Sequence, residues 1–191
     1  MTELEKKLLL SKEEYETLMK HFSHADTTNP KPMIQQINYY YDTDDLLMNR
    51  QNITCRIRWK DGKHQGTIKR HFPHSDQSTE TDVEVYDGNI ENAFINMGLS
   101  LKGELHTERC TVLKDTACEV VLDKNEYLGH EDYELEIEYA PMFEHRAERI
   151  LKTILTLLHI NTPPQAIPGK AKRFFAKYTL REKGGQNEPS A

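Results

Sequence analysis

Residues 133–139 read Tyr-Glu-Leu-Glu-Ile-Glu-Tyr, a strict alternation of carboxylates with large apolar side chains. Alternation with a period of two residues is the pattern of a β-strand that buries one face. Residues 54–60, Thr-Cys-Arg-Ile-Arg-Trp-Lys, alternate in the same way, but here the charged phase is basic. Like charges on one strand face lie about 7 Å apart, and they repel unless groups of opposite sign lie between them. The two segments therefore predict strands whose acidic and basic faces meet.

Six further segments show the same alternation, which gives eight predicted strands in all. They are residues 3–9, 34–41, 64–71, 79–86, 105–113 and 118–123. Helical spacing of apolar residues is found at residues 12–22, 90–97, 143–159 and 170–181. The apolar phases of the strands match the apolar stripes of the helices. We therefore expect an α+β fold, an eight-stranded antiparallel closed β-barrel (a tunnel) with a charged interior and helices packed outside. The last helix, after Lys170, could instead plug one end of the tunnel, because its angle cannot be predicted from the sequence.

The composition limits the functions that this chain can have. It has 191 residues and a formal net charge of −6, which disfavours a nucleic-acid binder. No apolar run reaches the roughly 18 residues of a membrane span, and the acidic N-terminus lacks the pattern of a secretory leader. Three scattered cysteines without a C-x-x-C motif are typical of the reducing cytoplasm. We expect a cytoplasmic monomer or homodimer, with one domain over residues 1–181 and a disordered tail over residues 182–191.

A charged interior of both signs favours a particular class of ligand. Carboxylates are hard oxygen ligands for Mg²⁺ or Mn²⁺, whereas Arg and Lys bind phosphate oxygens. A polyphosphate whose oxygens are bridged by a divalent cation needs both sets of side chains in one cavity. A structural core of salt bridges is the plain alternative, but such networks add little net stability. His71 and His74 are interpreted as an exposed loop pair rather than as metal ligands.

Short motifs occur in a definite order along the chain. They are Glu3-Leu4-Glu5-Lys6-Lys7, Tyr40-Tyr41-Asp42-Thr43, Cys55-Arg56-Ile57-Arg58, Thr67-Ile68-Lys69, Glu108-Arg109, Leu122-Asp123 and Tyr133-Glu134-Leu135-Glu136. This order resembles the CYTH domain, the triphosphate tunnel metalloenzyme superfamily, which opens with an E-x-E-x-K pattern. The family's closing Ser-Lys reads Gly169-Lys170 here. The chain looks most like the stand-alone CYTH proteins of Gram-positive bacteria.

The resemblance implies roles for the residues that match the family's motifs. It implies ligands of Mg²⁺ or Mn²⁺ at Glu3, Glu5, Asp123, Glu134, Glu136 and Glu138. It implies contacts with the phosphate chain from Lys7, Arg56, Arg58, Lys69, Arg109 and Lys170. It implies catalytic roles, in orienting the basic side chains or a water, for Lys69, Glu80 and Asp82.

The activity that the resemblance implies is metal-dependent hydrolysis of a small-molecule triphosphate. Inorganic triphosphate is our first expectation, because no segment suggests a pocket for an organic group. Thiamine triphosphate and nucleoside triphosphates stay open as alternatives. One branch of the family cyclises ATP, so a class IV-type adenylate cyclase is a second hypothesis. A module that binds polyphosphate or a nucleotide without turnover is a third, and neither nucleic acid nor a membrane is expected as a partner.

Overall fold

The computed structural model of the chain describes residues 2–25, 32–72, 77–83, 89–161 and 167–185. Within these ranges the strands are β1 (Thr2–Leu10), β2 (Met33–Asp42), β3 (Ile53–Lys60), β4 (Lys63–His71), β5 (Gln77–Asp82), β6 (Ser100–Lys114), β7 (Cys118–Tyr127) and β8 (His130–Tyr139). The helices are α1 (Lys12–Ala25), α2 (Leu47–Arg50), α3 (Ile90–Asn96), α4 (Glu144–Leu157) and α5 (Lys170–Gly185). A 3₁₀ turn, Pro141–Phe143, leads into α4.

The eight predicted strands and the four predicted helices are all present, with shifted ends. β6 begins at Ser100 rather than at residue 105. β5 ends at Asp82 rather than at residue 86, and residues 84–88 lie outside the described residues. Because the alternation of each strand has the predicted phase, these shifts leave the division into an inner and an outer face unchanged.

The sequence did not predict α2, which is held by the buried carboxylate of Asp42. The Asp42 oxygens accept hydrogen bonds at 2.9 Å from the backbone N–H groups of Met48 and Asn49. A side-chain acceptor satisfies N–H groups at the start of a helix that have no partner within it. The Asp of the Tyr-x-Asp-Thr motif therefore has a structural role in this chain.

The strands form one sheet in which neighbours pair antiparallel. Their order is β1-β5-β4-β3-β2-β6-β7-β8. β1 also pairs with β8 along residues 4–10, whereas its pairing with β5 covers only residues 2–4. The sheet is therefore strongly curled, and the prediction of an α+β fold with eight antiparallel strands is confirmed. A tunnel closed all the way round depends on the short β1–β5 pairing and stays a prediction.

The outer face of the sheet is apolar and carries three of the helices. α1 and α4 cover β1, β6, β7 and β8, and their Leu18 and Ile154 belong to the same core as Leu135 and Ile137 of β8. α3 covers β2 and β3 with the buried ring of Phe94. Successive side chains of a strand point to opposite faces, so the charged phases are directed inward. The prediction of helices outside and charge inside is confirmed for α1, α3 and α4.

α5 does not pack outside the sheet like the other helices but fills one end of the curled interior, the alternative that the sequence left open for this helix. Phe174 and Phe175 of α5 are buried against Tyr40, Leu105 and Tyr127. These three residues lie in the inward phases of β2, β6 and β7, the same phases that carry the charged groups further along. Apolar side chains that face inward need an apolar cover, and the first half of α5 supplies it.

Replacing Phe174 by alanine tests this end closure. The ring is fully buried and lies against Gly103, whose φ is +148° and where a Cβ atom would come within 2.9 Å of the ring. We expect Phe174→Ala to lower the free energy of unfolding in urea by about 3–5 kcal/mol. Leu180→Ala, on the exposed side of the same helix, is the control and should change it by less than about 0.5 kcal/mol. Equal effects would show that α5 does not fill the interior.

α5 extends beyond the predicted end of the folded domain. The helix continues to Gly185, whereas the sequence predicted a boundary after residue 181, and residues 186–191 lie outside the described residues. Residues 182–185 are therefore helical, and the rest of the predicted domain division stays a prediction. None of the described helices combines the length and the apolarity needed to cross a bilayer.

Candidate active site

Charged side chains of the inner face surround a cavity of about 240 Å³. Among the residues predicted from the sequence, those that line it are Glu5, Lys7, Arg56, Arg58, Lys69, Arg109, Glu136, Glu138 and Lys170. They come from β1, β3, β4, β6 and β8 and from the first turn of α5, which the curl of the sheet brings together. Three further predicted residues form ion pairs with this lining without belonging to it: Asp123, Glu134 and Glu80.

Glu80 on β5 orients one side of the cavity, the basic wall, which consists of Arg56, Arg58 and Lys69 on β3 and β4. Arg56 Nη2 donates to both Glu80 oxygens, at 3.2 and 3.1 Å, and Lys69 Nζ lies 3.9 Å from Glu80 Oε2. Burial raises the pKa of Glu80, but Arg56 and Lys69 outweigh burial and leave that pKa below its ordinary value. Glu80 is therefore an ionised carboxylate that holds Arg56 in place.

Arg58 is the member of the basic wall that has no carboxylate partner among the residues that the structure describes. Its Nε donates to Asn38 Oδ1 at 3.0 Å, and no described Asp or Glu oxygen lies within ion-pairing distance of its guanidinium. Burial, together with the nearby cations Arg56 and Arg109, lowers the pKa of Arg58 to about 10. A buried charge without a partner is unfavourable. An anionic ligand in the cavity would compensate this charge.

The opposite side of the cavity, the acidic wall, consists of Asp123 on β7 and of Glu134 and Glu136 on β8. Asp123 and Glu134 are cross-strand partners, and all three side chains are buried. Arg109 donates from Nε to Asp123 Oδ1 at 2.8 Å, and its Nη2 reaches Glu136. Buried carboxylates this close together repel one another, so they stay ionised only beside cations.

Lys170 places its ammonium group inside the acidic wall. Nζ lies 2.8 Å from Asp123 Oδ2, 3.1 Å from Glu134 Oε2 and 2.7 Å from Glu136 Oε1. Burial lowers the pKa of Lys170, but the three carboxylates outweigh burial and raise that pKa above its ordinary value. Burial likewise raises the pKa of Glu136, and here Lys170 and Arg109 reverse the shift to well below the ordinary range. Lys170 and Glu136 are therefore both charged at neutral pH.

Glu5 and Lys7 on β1 connect the two walls. Lys7 Nζ lies 2.9 Å from Glu5 Oε1 and 3.7 Å from Glu136 Oε1, and Lys69 Nζ lies 3.9 Å from the same Glu5 oxygen. Glu138 is the cross-strand partner of Glu5 and is 46% exposed, and burial together with Glu136 raises its pKa. Through Glu5 and Lys7, ion pairs therefore run from the basic wall to the acidic wall.

Two residues with predicted roles are not brought into the cavity by the described structure. Asp82 lies at the end of β5, is exposed, and accepts a hydrogen bond from Gln65 Nε2 at 2.8 Å. Glu3 lies opposite Ser78 in the β1–β5 register, and its side chain is outside the described part of the structure. The metal-ligand role of Glu3 and the catalytic role of Asp82 stay predictions.

Arg173 also belongs to the site, although no role was predicted for it. Its Nε donates to Asp132 Oδ2 at 2.9 Å, and its Nη2 donates to Glu134 Oε2 at 2.6 Å. Its Nη1 donates to the backbone carbonyl of Pro168 at 2.7 Å. These bonds fix the first turn of α5 and, with it, Lys170. The available signal was the spacing of three residues between Lys170 and Arg173, which places both on one side of a helix.

His71 also belongs to the site, although it was interpreted from the sequence as exposed. It is the last residue of β4, is half-buried and lines the cavity, rather than standing exposed in a loop. Burial, together with Lys69 and Lys7, lowers the pKa of His71 to about 4 from an ordinary value of 6.5. The imidazole is therefore neutral in the folded protein at pH 7. Its phase, two residues after Lys69 on the same strand, was the signal for its position.

The low pKa of His71 predicts a pH dependence of stability. As the pH falls through about 6.5 towards 4, the unfolded chain takes up a proton that the folded chain does not, so the free energy of unfolding decreases. We expect this decrease to be smaller in His71→Gln than in the parent protein, measured by urea unfolding across this range. His64→Gln, at an exposed position of the same strand, should follow the parent curve. Parallel curves for His71→Gln and the parent would contradict the assignment.

The acidic wall offers the ligand atoms that a hard divalent cation needs. It supplies carboxylate oxygens alone, which Mg²⁺ and Mn²⁺ prefer. The Glu134 Oε1 atom is buried without a hydrogen-bond partner. Within the described ranges, no three His, Cys, Asp or Glu side chains are spaced to hold a metal ion as they stand. The residues therefore fit such a cation by their chemistry, but the position where they converge holds the Lys170 ammonium.

The chain matches the model of a known protein family. That model, described as CYTH domain, matches residues 1–163. The chain belongs to the CYTH domain family. The resemblance read from the sequence motifs is thereby confirmed. The CYTH match ends before α5, so Lys170 and Arg173 come from a part of the chain outside the matched residues.

Similar proteins agree with the CYTH assignment. YjbK of Bacillus subtilis, named as a candidate triphosphatase, is 28% identical over 189 residues, which cover 91% of this chain and 94% of the relative. A Bacillus halodurans structure, named as a candidate adenylate cyclase, is 27% identical with a TM-score of 0.67, and covers 91% of this chain and 97% of that one. A Hippeastrum structure, described as a candidate adenylyl cyclase with a dominant triphosphatase activity, is 17% identical with a TM-score of 0.66. The match covers 92% of this chain and 95% of that one. At that identity the likeness shows the CYTH fold alone.

Proposed function

We propose that this chain hydrolyses a triphosphate in the charged cavity, with Mg²⁺ or Mn²⁺ as its cofactor. The observation that carries the proposal is the buried Arg58 guanidinium, which faces the cavity without a carboxylate partner among the described side chains. The planar guanidinium is the side chain best suited to hold phosphate oxygens through paired hydrogen bonds. The name of the B. subtilis relative as a candidate triphosphatase supports the same chemistry.

The basic wall would neutralise and align the phosphate chain. Arg56 and Arg58 would act as hydrogen-bonding forks, and Lys69 as a point charge. Glu80 fixes Arg56 before the substrate arrives, and Lys69 lies between Glu5 and Glu80, where it would position the terminal phosphate or the attacking water. Transfer of a phosphoryl group depends mainly on positioning and on electrostatic stabilisation, which prearranged charged donors supply.

The carboxylates would hold the divalent cation. Candidate ligands are Glu5 and Glu138 at the cavity edge and the acidic wall, with Glu3 as a further prediction. When bound, the cation would supply positive charge that offsets the charge developing on the phosphate oxygens. Arg109, through its bonds to Asp123 and Glu136, would keep the two carboxylates fixed in direction.

The size and lining of the cavity favour inorganic triphosphate over larger substrates. A volume of about 240 Å³ lies below the roughly 300–1,000 Å³ of pockets for drug-sized organic ligands. Among the described lining residues, the phenol ring is that of Tyr40, which α5 buries completely, and the other aromatic ring is the half-buried imidazole of His71. The name of the B. halodurans structure keeps cyclisation of ATP as the second candidate function.

The tunnel, the small-molecule substrate, the location and the oligomeric state that the sequence predicts form part of the same proposal. We propose that the curled sheet closes into a tunnel around the substrate, which the return of β8 to β1 and the short β1–β5 pairing support. The acidic net charge of −6 supports a small-molecule substrate rather than nucleic acid. A cytoplasmic location and a monomeric or homodimeric state complete the proposal.

Release of phosphate from inorganic triphosphate, thiamine triphosphate and ATP, with Mg²⁺ or Mn²⁺, tests the function. We expect metal-dependent release that is fastest from inorganic triphosphate and that Glu5→Gln strongly reduces. Glu16→Gln, at an exposed position of α1, is the matched control and should behave like the parent. Cyclic AMP from ATP without phosphate release from triphosphate would favour the cyclase, and tight binding without turnover would leave a binding module.

A further inference from the structure

Lys170 occupies the position at which the carboxylates of the acidic wall converge. Its ammonium lies 2.7–3.1 Å from one oxygen each of Asp123, Glu134 and Glu136. These are ordinary distances for a charge-assisted hydrogen bond from nitrogen to oxygen. Mg²⁺ binds oxygen at about 2.0–2.1 Å, so the same three oxygens would have to move inward to hold it. The acidic wall is therefore arranged around an organic cation that belongs to the chain.

A second observation shows that the acidic wall has unused capacity for a cation. Glu134 Oε1 is fully buried and has no hydrogen-bond partner among the described residues, with the Lys7 ammonium 4.0 Å away, whereas Oε2 of the same carboxylate binds both Lys170 and Arg173. An unsatisfied buried carboxylate oxygen is costly. A ligand with more charge and a higher coordination number than an ammonium group would satisfy it.

We propose that Lys170 is a built-in competitor of the divalent cation, whose ammonium fills the acidic wall until the cation displaces it. The two cannot share the position, because both need the same oxygens and their charges repel. The proposal rests on the proposed function for the identity of the divalent cation.

The anchoring of α5 determines what moves during this exchange. Arg173 binds Asp132 and Glu134 Oε2, and Phe174 fills the end of the interior. The helix therefore stays in place while the flexible side chain of Lys170 leaves the acidic wall. Lys170 also lines the cavity, so the displaced ammonium enters the space between the two walls. There it adds positive charge beside the basic wall. Binding of the divalent cation therefore increases the positive charge that can bind a phosphate chain.

Titration of the purified protein with Mn²⁺ alone, followed by calorimetry or by the electron paramagnetic resonance of free Mn²⁺, tests the competition. We expect Lys170→Gln to bind Mn²⁺ about tenfold more tightly than the parent, within the usual range of coupling between sites. Lys170→Arg keeps the competing charge and should bind no more tightly than the parent. Lys177→Gln makes the same change of charge on the same helix, away from the acidic wall, and should match the parent. Unchanged or weaker Mn²⁺ binding by Lys170→Gln would overturn the proposal.

Labelling of the unmodified protein tests the displacement without any variant that could fail to fold. Acetic anhydride reacts with lysine amines that are accessible, and peptide mass spectrometry locates the products. Saturation with Mg²⁺ should raise the labelling rate of Lys170 several-fold and leave that of Lys177 unchanged. An unchanged or lower rate at Lys170 would overturn the proposal. Both measurements omit substrate, so failure of the phosphate-release assay would count against the proposed function and leave the exchange intact.

Discussion

Arg58→Ala should lower kcat/KM for inorganic triphosphate by about 10²–10³-fold, the usual effect of removing one prearranged donor to a developing charge. Arg58 is the buried cation of the basic wall without a carboxylate partner among the described residues. Its charge is therefore available for the substrate, unlike that of Arg56, which Glu80 already holds. The measurement is steady-state phosphate release at saturating Mg²⁺.

The same substitution should leave stability unchanged or raise it. The pKa of Arg58 is lowered to about 10, so the folded state binds the arginine proton less tightly than the unfolded chain does. Removing the charge therefore relieves the folded state. Urea denaturation gives the free energy of unfolding, and Arg70→Ala, at an exposed position of β4, is the control for loss of an arginine. A large loss of stability with little loss of activity would show that Arg58 is structural.

Glu136→Gln should have the largest effect on stability among substitutions in the site. Its carboxylate contacts Lys170, Arg109 and Lys7, and its neutralisation leaves buried cations without compensation. Breaking a buried ion pair by removing one partner lowers the free energy of unfolding by about 3–5 kcal/mol. The same variant should lose most of its phosphate release, because it also loses a candidate metal ligand. Urea denaturation and the activity assay measure the two effects.

Glu138→Gln is the matched control for Glu136→Gln. It lies two residues along the same strand, is 46% exposed, and has a raised pKa, so its neutralisation should change stability little. The double variant Glu136→Gln, Lys170→Gln should recover part of the loss, because it also removes a cation left unpaired. A double-mutant cycle measures this coupling. Equal effects of Glu136→Gln and Glu138→Gln, or strictly additive effects in the cycle, would contradict the described ion-pair network.

The strand pattern and most of the cavity lining could be predicted because each strand has one strongly charged phase. In β8 and β3 the alternation assigns every residue to one face, and the face, rather than the strand ends, decides which residues meet. The errors in the ends of β5 and β6 therefore did not affect Arg58 or Glu136. Lys170 was placed correctly by its motif, although its ion pairs with the acidic wall depend on the direction in which α5 enters the interior.

The remaining features depend on contacts between distant parts of the chain, which local patterns do not encode. The apolar face of α5 looks the same from sequence whether it packs outside the sheet or inside one end of it, so the position of Phe174 could not be decided from the sequence. His71 was interpreted as one of an exposed histidine pair with His74, yet it ends its predicted strand with the inward phase and lines the cavity. Asp82 has the inward phase of Glu80 but lies where the strand ends, and is exposed there.

A crystal structure with Mn²⁺ and imidotriphosphate, an analogue that resists hydrolysis, would show directly whether this cavity binds a triphosphate. We expect the phosphate chain in the cavity against Arg56 and Arg58, and an anomalous manganese signal beside the carboxylates of Glu134 and Glu136. We also expect the Lys170 ammonium outside the acidic wall. An analogue bound elsewhere on the protein, or a cavity left empty by saturating ligand, would contradict the assignment of this cavity as a triphosphate site.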